Sequence, residues 1–167
     1  LEGKNSMRII KSFISTVLSM GLLISPVAAQ VMSATGSHNY ETNTFSVHNS
    51  PGGIVRSFLY RIELADRKDT QIKISGYCAS ACTLYLGAKN VCVDKDAQLM
   101  FHAPYYFNEF GYKVVMENDP RFMYLYPRSV QAWLKDNGGL IEPWIILRGD
   151  AMARLVPVCN ASVSYTS

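Results

Sequence analysis

Three short segments carry residue types that could together catalyse acyl transfer at a serine. Ser80 follows an alternating stretch, Gln71–Ser75, that predicts a strand, and alanines flank it so that a substrate carbonyl could approach. His102 stands at the end of a second short apolar stretch, and Gly52 and Gly53 follow a third. A serine nucleophile needs a base, and the developing oxyanion needs preorganised N–H donors, which a glycine turn can supply. These segments therefore predict a serine hydrolase site.

Each feature alone also has an ordinary structural interpretation. A serine inside the small apolar segment Cys78–Gly87 is typical of a packed helix, and Asn49–Gly53 is typical of a plain turn. A lone histidine such as His102 after an apolar residue is more often structural. Lys89 and Lys95 lie between the serine and the histidine, so a Ser–Lys pair is a lesser alternative.

The elements around these residues predict an α/β domain with mainly parallel strands. Phe45–His48 and Gln71–Ser75 are predicted strands, and the apolar spacing of Ile54–Lys68 predicts an amphipathic helix between them. Gly76 is expected to break the second strand, and Cys78–Gly87 is predicted as a buried helix. Further along are two strands, an irregular aromatic stretch, a helix, a short strand or helix start, and a last helix: Val91–Val93, Leu99–Phe101, Tyr105–Tyr126, Arg128–Asn137, Trp144–Leu147 and Asp150–Leu155.

Composition and charge narrow the class of protein. The chain has 167 residues, of which 49% are hydrophobic and 17% charged, which is typical of one globular domain. The formal net charge is only +3, and no basic run with interleaved aromatics occurs, so we expect no nucleic-acid partner.

The N-terminal region predicts export. Met7–Ala29 has a basic start, a short apolar core and a small-residue cleavage site, which is the pattern of a secretory signal peptide. The apolar run is shorter than the roughly 20 residues of a spanning helix, so cleavage is favoured over a membrane anchor. Leu1–Ser6 are interpreted as vector-derived or upstream residues, and residues 30–44 as a flexible polar lead-in to a domain at 45–167. The expected location is periplasmic or secreted, without membrane attachment after cleavage.

Four cysteines, Cys78, Cys82, Cys92 and Cys159, lie in the mature part. In an oxidising compartment, an even number of cysteines predicts two disulfides, and the three pairings stay open. Zinc is the competing interpretation, but neither a Cys-x-x-Cys pair nor a nearby ligating histidine supports it. We therefore predict disulfides and no metal.

Taken together, three motifs resemble one family. NSPGG at 49–53, GYCASAC at 76–82 and MFHAP at 100–104 are similar, in order and near-correct spacing, to the catalytic segments of the Clp protease proteolytic subunit (ClpP), within the ClpP/crotonase superfamily. Bacterial periplasmic ClpP-like proteins look most alike, since their serine segment also reads Cys-Ala-Ser-Ala-Cys. The resemblance covers Phe45–Pro104 well and the rest loosely. It implies a spiral of β-β-α units that is N-terminally shortened here.

The resemblance also implies roles for particular residues. Ser80 would be the nucleophile and His102 its general base, and the backbone N–H groups of Gly53 and Ala81 would form the oxyanion hole. The acid of the triad is less clearly marked. Its candidates are Asp150, favoured by spacing from the histidine, Glu142, favoured by alignment of the following helix, and Asp136.

The implied activity is hydrolysis of peptide or protein substrates through an acyl-enzyme, without a cofactor. Because the family forms rings, a homo-oligomer is also implied. The short N-terminus and the unmarked acid favour an alternative, a catalytically inactive ClpP-fold binding or scaffold protein. A crotonase-type acyl-CoA enzyme is a third interpretation, but it would need no Ser–His pair, and CoA is not expected outside the cytoplasm.

Overall fold

A computed structural model describes residues 36–159, which form a mixed α/β domain. The strands are β1 (Ser37–Asn39), β2 (Thr44–Ser50), β3 (Gln71–Ala79), β4 (Val91–Val93), β5 (Gln98–Phe101), β6 (Tyr105–Phe107), β7 (Lys113–Val115) and β8 (Ile145–Arg148). The helices are α1 (Val55–Arg67), a 3₁₀ helix (Ser80–Gly87), α2 (Pro120–Met123), α3 (Arg128–Asp136) and α4 (Gly149–Ala153). The predicted signal peptide at 7–29 lies outside the described residues.

The main sheet is parallel at its centre and antiparallel at two flanks. Its strand order is β1-β2-β3-β5-β8, with β4 also pairing with β3. The strands β2, β4 and β5 all run parallel to β3, whereas β1 and β8 are antiparallel to their neighbours. The α1 helix provides the crossover that a parallel β2–β3 pair requires. The predicted α/β class is confirmed.

The core lies around the central strand and the segment that follows it. Ile72, Ile74 and Cys78 of β3 are fully buried, as is Tyr85 of the 3₁₀ helix. The α1 helix packs on this core through Phe58, whose ring centroid lies 5.1 Å from that of Tyr85. Each such buried side chain contributes about 1.5–3 kcal/mol of transfer free energy, so the strand that leads to Ser80 lies on a firmly packed base.

The central strand extends further than predicted. Gly76 does not end β3, because its positive φ of +64° is absorbed where the register of β2 against β3 shifts between His48 and Ser50. The β3 strand therefore continues to Ala79, and the following helix begins at Ser80 instead of Cys78. Ser80 consequently occupies the first position after the strand.

Two other segments differ from the sequence-based expectation. Ser37–Asn39, within the predicted flexible lead-in, pairs as β1 with β2, because the Asn39 side chain accepts hydrogen bonds from the N–H groups of Glu41 and Thr42 and reverses the chain. The predicted irregular aromatic stretch contains the β6–β7 hairpin. The segment predicted at 144–147 as a strand or helix start overlaps strand β8, Ile145–Arg148, which resolves the choice in favour of a strand.

The cysteines form two disulfides, Cys78–Cys82 and Cys92–Cys159. The second bond ties the end of the described chain to β4, beside a hydrogen bond from the Cys159 N–H to the Val93 carbonyl. The prediction of disulfides is confirmed. Because the four sulfurs are bonded in two pairs, none of them is a thiolate that could bind zinc. No helix within residues 36–159 is long and apolar enough to cross a membrane.

Candidate active site

Ser80 sits on a sharp turn between β3 and the 3₁₀ helix. Its φ of +54° lies in the left-handed region, which costs an ordinary L-residue about 1–2 kcal/mol. The surrounding contacts stabilise the turn, because the Thr83 hydroxyl donates to the Ser80 carbonyl at 2.7 Å and lies 2.8 Å from the Tyr126 hydroxyl. Strain of this kind at a strand-to-helix turn projects a side chain away from the sheet.

The Cys78–Cys82 disulfide closes a small covalent loop around this turn. The two cysteines are four residues apart and fully buried, and Ser80 is the middle residue between them. The bond therefore restricts the backbone at Ser80 in both the folded and the unfolded chain. The sequence predicted two disulfides but could not choose this pairing.

The glycine turn packs directly on the serine turn. Gly52 has a φ of +87°, and a Cβ at this position would lie 2.5 Å from the Ala79 carbonyl oxygen and 2.7 Å from the Ser80 Cβ. Only glycine allows so close a contact. Gly53 and Ala81 line the same cavity as Ser80, and Ala81 is in the first turn of its helix, where amides have no intrahelical acceptor.

A hydrogen-bond network holds the start of the glycine turn. The His48 Nδ1 lies 3.0 Å from the Ser75 hydroxyl, and its Nε2 lies 2.9 Å from the Asn49 amide nitrogen. The Asn49 side-chain oxygen accepts from the Tyr77 N–H, across the bulge at Gly76. His48 is exposed, but it has this positioning contact, which the sequence pattern did not reveal.

The structure brings His102 to Ser80. The His102 Nε2 lies 2.7 Å from the Ser80 Oγ, which is the hydrogen-bond distance a general base needs. The Trp144 ring covers the imidazole with a centroid distance of 4.2 Å. Burial, and secondarily the positive charge of Lys113, lower the pKa of His102 below its usual value. The imidazole is therefore neutral, and able to accept a proton, at neutral pH.

None of the three predicted acids reaches this histidine. Glu142 instead binds Lys113 at 2.7 Å, and this hydrogen bond and charge lower the pKa of the Glu142 carboxyl. Asp150 is exposed at the start of α4 and Asp136 is exposed at the end of α3. Within residues 36–159, no carboxylate hydrogen-bonds to His102, so the site is a Ser–His pair there.

The alternative lysine base is also not in place. Lys89 and Lys95 are both exposed, and neither lines the cavity that contains Ser80. Because a base must lie within hydrogen-bond reach of the serine, the position next to Ser80 belongs to His102.

The pair opens into a cavity of about 760 Å³. Its walls are mostly apolar, and a substrate entering it would be largely withdrawn from water. Besides Gly52, Gly53, Ser80, Ala81, His102, Tyr126 and Trp144, the lining contains Pro51, Ile54, Val55, Arg56, Leu84, Pro104, Tyr105, Met116, Phe122 and Leu140. Within residues 36–159, no three His, Cys, Asp or Glu side chains are grouped to hold a metal ion.

No protein-family model and no curated protein sequence matches this chain. The functional conclusion therefore depends on the geometry of Ser80, His102 and the glycine turn.

Proposed function

We propose that this protein is an exported serine peptidase in which Ser80 is the nucleophile and His102 the general base. The observation that carries the proposal is the 2.7 Å contact between the Ser80 Oγ and the His102 Nε2 on the wall of an apolar cavity. The backbone N–H groups of Gly53 and Ala81 are the proposed oxyanion hole. The left-handed turn at Ser80 supports the assignment, since the packed core alone requires no strained serine there.

The catalytic cycle uses only groups of this site. The Ser80 oxygen attacks the scissile carbonyl while its proton passes to the His102 Nε2, and the carbonyl oxygen becomes an oxyanion facing the two N–H donors. Collapse breaks the C–N bond, and the departing amine takes the proton from His102. Water, activated by the same imidazole, then attacks the acyl-enzyme and releases the acid, and Ser80 regains its proton.

Because no carboxylate among residues 36–159 hydrogen-bonds to His102, the imidazole must be positioned for proton transfer in another way. For Nε2 to accept the serine proton, the ring must carry its own hydrogen on Nδ1. A carboxylate would fix this tautomer and stabilise the imidazolium. Here the Trp144 ring packs against His102 at an interplanar angle of 44°, and the lowered pKa of His102 favours the neutral imidazole. Because no carboxylate among residues 36–159 stabilises the imidazolium, we expect slow turnover.

The same proposal includes a ClpP/crotonase-like spiral fold, a periplasmic or secreted location and a homo-oligomer. Two disulfides support an oxidising compartment. The order of the glycine turn, the serine turn and the histidine along β2, β3 and β5 supports the family resemblance. Exposed aromatic side chains on and near the β6–β7 hairpin, including Phe107 and Phe110, support self-association, which size-exclusion chromatography tests.

One observation favours a second candidate function. The absence of a hydrogen-bonded carboxylate at His102, within the described residues, suits an inactive binding or scaffold protein that keeps the cavity. Such a protein would bind peptides without cleaving them.

Peptide hydrolysis separates the two candidates. Wild type and Ser80→Ala are incubated with a mixture of unstructured peptides, and cleavage is followed by mass spectrometry. The peptidase proposal predicts new termini with the wild type only. Intact peptides with both proteins would favour the scaffold instead, while equal cleavage by both would exclude Ser80 as the nucleophile.

A further inference from the structure

Among the described residues, one that carries a permanent charge, Arg56, lines the cavity beside Ser80. Every other lining residue in that part of the chain is apolar, small, aromatic or histidine, so no carboxylate from residues 36–159 lines the cavity to neutralise the guanidinium. The cavity therefore combines apolar walls with one cationic position.

The charge of the Arg56 guanidinium is not paired within the described part of the chain. Among residues 36–159, it forms no ion pair, side-chain hydrogen bond or stacking contact with an aromatic ring. Lys113, the cation near His102, is different, because it is bound to Glu142 and lies over the Tyr105 ring. The guanidinium of Arg56 is thus available to a ligand.

Arg56 follows the proposed oxyanion donor closely in the sequence and lines the same cavity. It lies in the first turn of α1, three residues after Gly53, the proposed oxyanion donor. A ligand whose carbonyl faces Gly53 therefore lies in the cavity that Arg56 also lines. An arginine binds a carboxylate with two parallel hydrogen bonds, which fixes orientation as well as charge.

We propose that Arg56 is a specificity residue that binds a carboxylate of the substrate, next to an apolar group held by the cavity walls. The inference rests on the proposed function, since it names the substrate class of that site. The carboxylate can come from an acidic side chain near the scissile bond or from the C-terminus of a short peptide. A charge-assisted pair of this kind corresponds to a preference of about 10-fold.

Two pairs of quenched fluorescent peptides with an apolar centre test the inference and its two sources. One pair differs by aspartate against asparagine, and the other by a free against an amidated C-terminus. We expect wild type to cleave the carboxylate member of at least one pair about 10-fold faster in kcat/KM. Arg56→Gln should abolish this preference by slowing cleavage of the carboxylate members, while Arg56→Lys should retain part of it.

Arg128→Gln is the matched control, because Arg128 is also an exposed arginine in the first turn of a helix, α3, but does not line the cavity. It should keep the full preference. Equal rates within both pairs, or a preference that survives in Arg56→Gln, would overturn the inference.

Binding to Ser80→Ala separates this inference from the proposed function. The dissociation constants of the same four peptides are measured by fluorescence anisotropy with Ser80→Ala and with Ser80→Ala/Arg56→Gln. A carboxylate preference in binding that needs Arg56 supports the inference even if wild type cleaves nothing, in which case only the peptidase proposal fails. Equal dissociation constants within both pairs would contradict the inference independently of catalysis.

Discussion

The serine side and the histidine side of this site are held in different ways. Ser80 is fixed by the disulfide on either side of it, by Gly52 packed on its backbone and by the Thr83 hydroxyl on its carbonyl. His102 is held by Ser80 itself and by a Trp144 ring that is 49% exposed, with no carboxylate behind it in the described residues. The nucleophile is rigidly positioned, whereas the base is held weakly.

This difference indicates where changes should act. On the serine side, small alterations meet a packed backbone and should disturb both geometry and stability. On the histidine side, alterations should mainly change protonation.

Loss of the nucleophile should have the largest effect. Ser80→Ala should lower kcat/KM for peptide cleavage by at least about 10³-fold, since the attacking oxygen is removed. Ser80→Gly should be equally inactive but more stable than Ser80→Ala by about 1 kcal/mol, because glycine adopts the φ of +54° without strain. Chemical denaturation measures the difference, and equal stabilities would argue against a strained turn.

Gly52→Ala should have the second largest effect. The new Cβ would meet the Ala79 carbonyl oxygen at 2.5 Å, so the serine turn or the oxyanion donors must move. We expect kcat/KM to fall about 10²-fold and stability to fall by about 1–3 kcal/mol. Gly111→Ala is the control, since its φ is also positive, at +80°, but nothing lies within 4 Å of the new Cβ. An equal loss of activity in both variants would contradict the packing explanation.

The two disulfides should affect stability and activity in opposite order. Replacing Cys92 and Cys159 by alanine opens a loop with a sequence separation of 67 and should lower stability by about 4 kcal/mol, with little change in kcat. Replacing Cys78 and Cys82 opens a separation of only 4 and should lower stability by about 2 kcal/mol. This second change should nevertheless reduce kcat about 10-fold, because a misplacement of the nucleophile is costly. If removal of the Cys92–Cys159 bond caused the larger loss of both stability and kcat, the Cys78–Cys82 loop would have no positioning role.

The pH profile reports the histidine side and should show the smallest effect. Activity requires neutral His102, so kcat/KM should rise with pH and reach its plateau through a midpoint below 6.5, because burial and Lys113 lower the pKa of His102. Lys113→Gln removes a positive charge and should move this midpoint to higher pH. Lys89→Gln, at an exposed position outside the cavity, should leave the midpoint in place. A midpoint that Lys113→Gln does not change would remove this charge from the explanation.

The parts of the site that could be predicted from sequence are those that depend on local turns. Ser80, His102 and the glycine pair each follow a strand that alternation or apolar runs reveal. The order and spacing of their motifs along the sequence suggested one site. The choice of disulfide partners required the folded chain, since Cys92 and Cys159 are brought together only by the bridge between β4 and the C-terminal end. The extension of β3 through Gly76 was also not predicted, because the left-handed residue is accommodated by a bulge in the pairing with β2.

The acid was the least predictable part. Glu142 and Asp150 lie at suitable distances along the sequence, but the direction of a side chain in a loop or at a helix end depends on its tertiary neighbours. For Glu142 the decisive neighbour is Lys113 on β7, in a segment expected to be irregular.

Labelling by a fluorophosphonate tests the central claim most directly. Such a probe forms a covalent bond only with a serine oxygen that a base has activated. Intact mass spectrometry of the folded wild type should show one adduct, mapped by peptide sequencing to Ser80, and Ser80→Ala and His102→Ala should show none. A folded wild-type protein that stays unlabelled, or that is labelled elsewhere, would contradict the assignment of Ser80 as an active nucleophile.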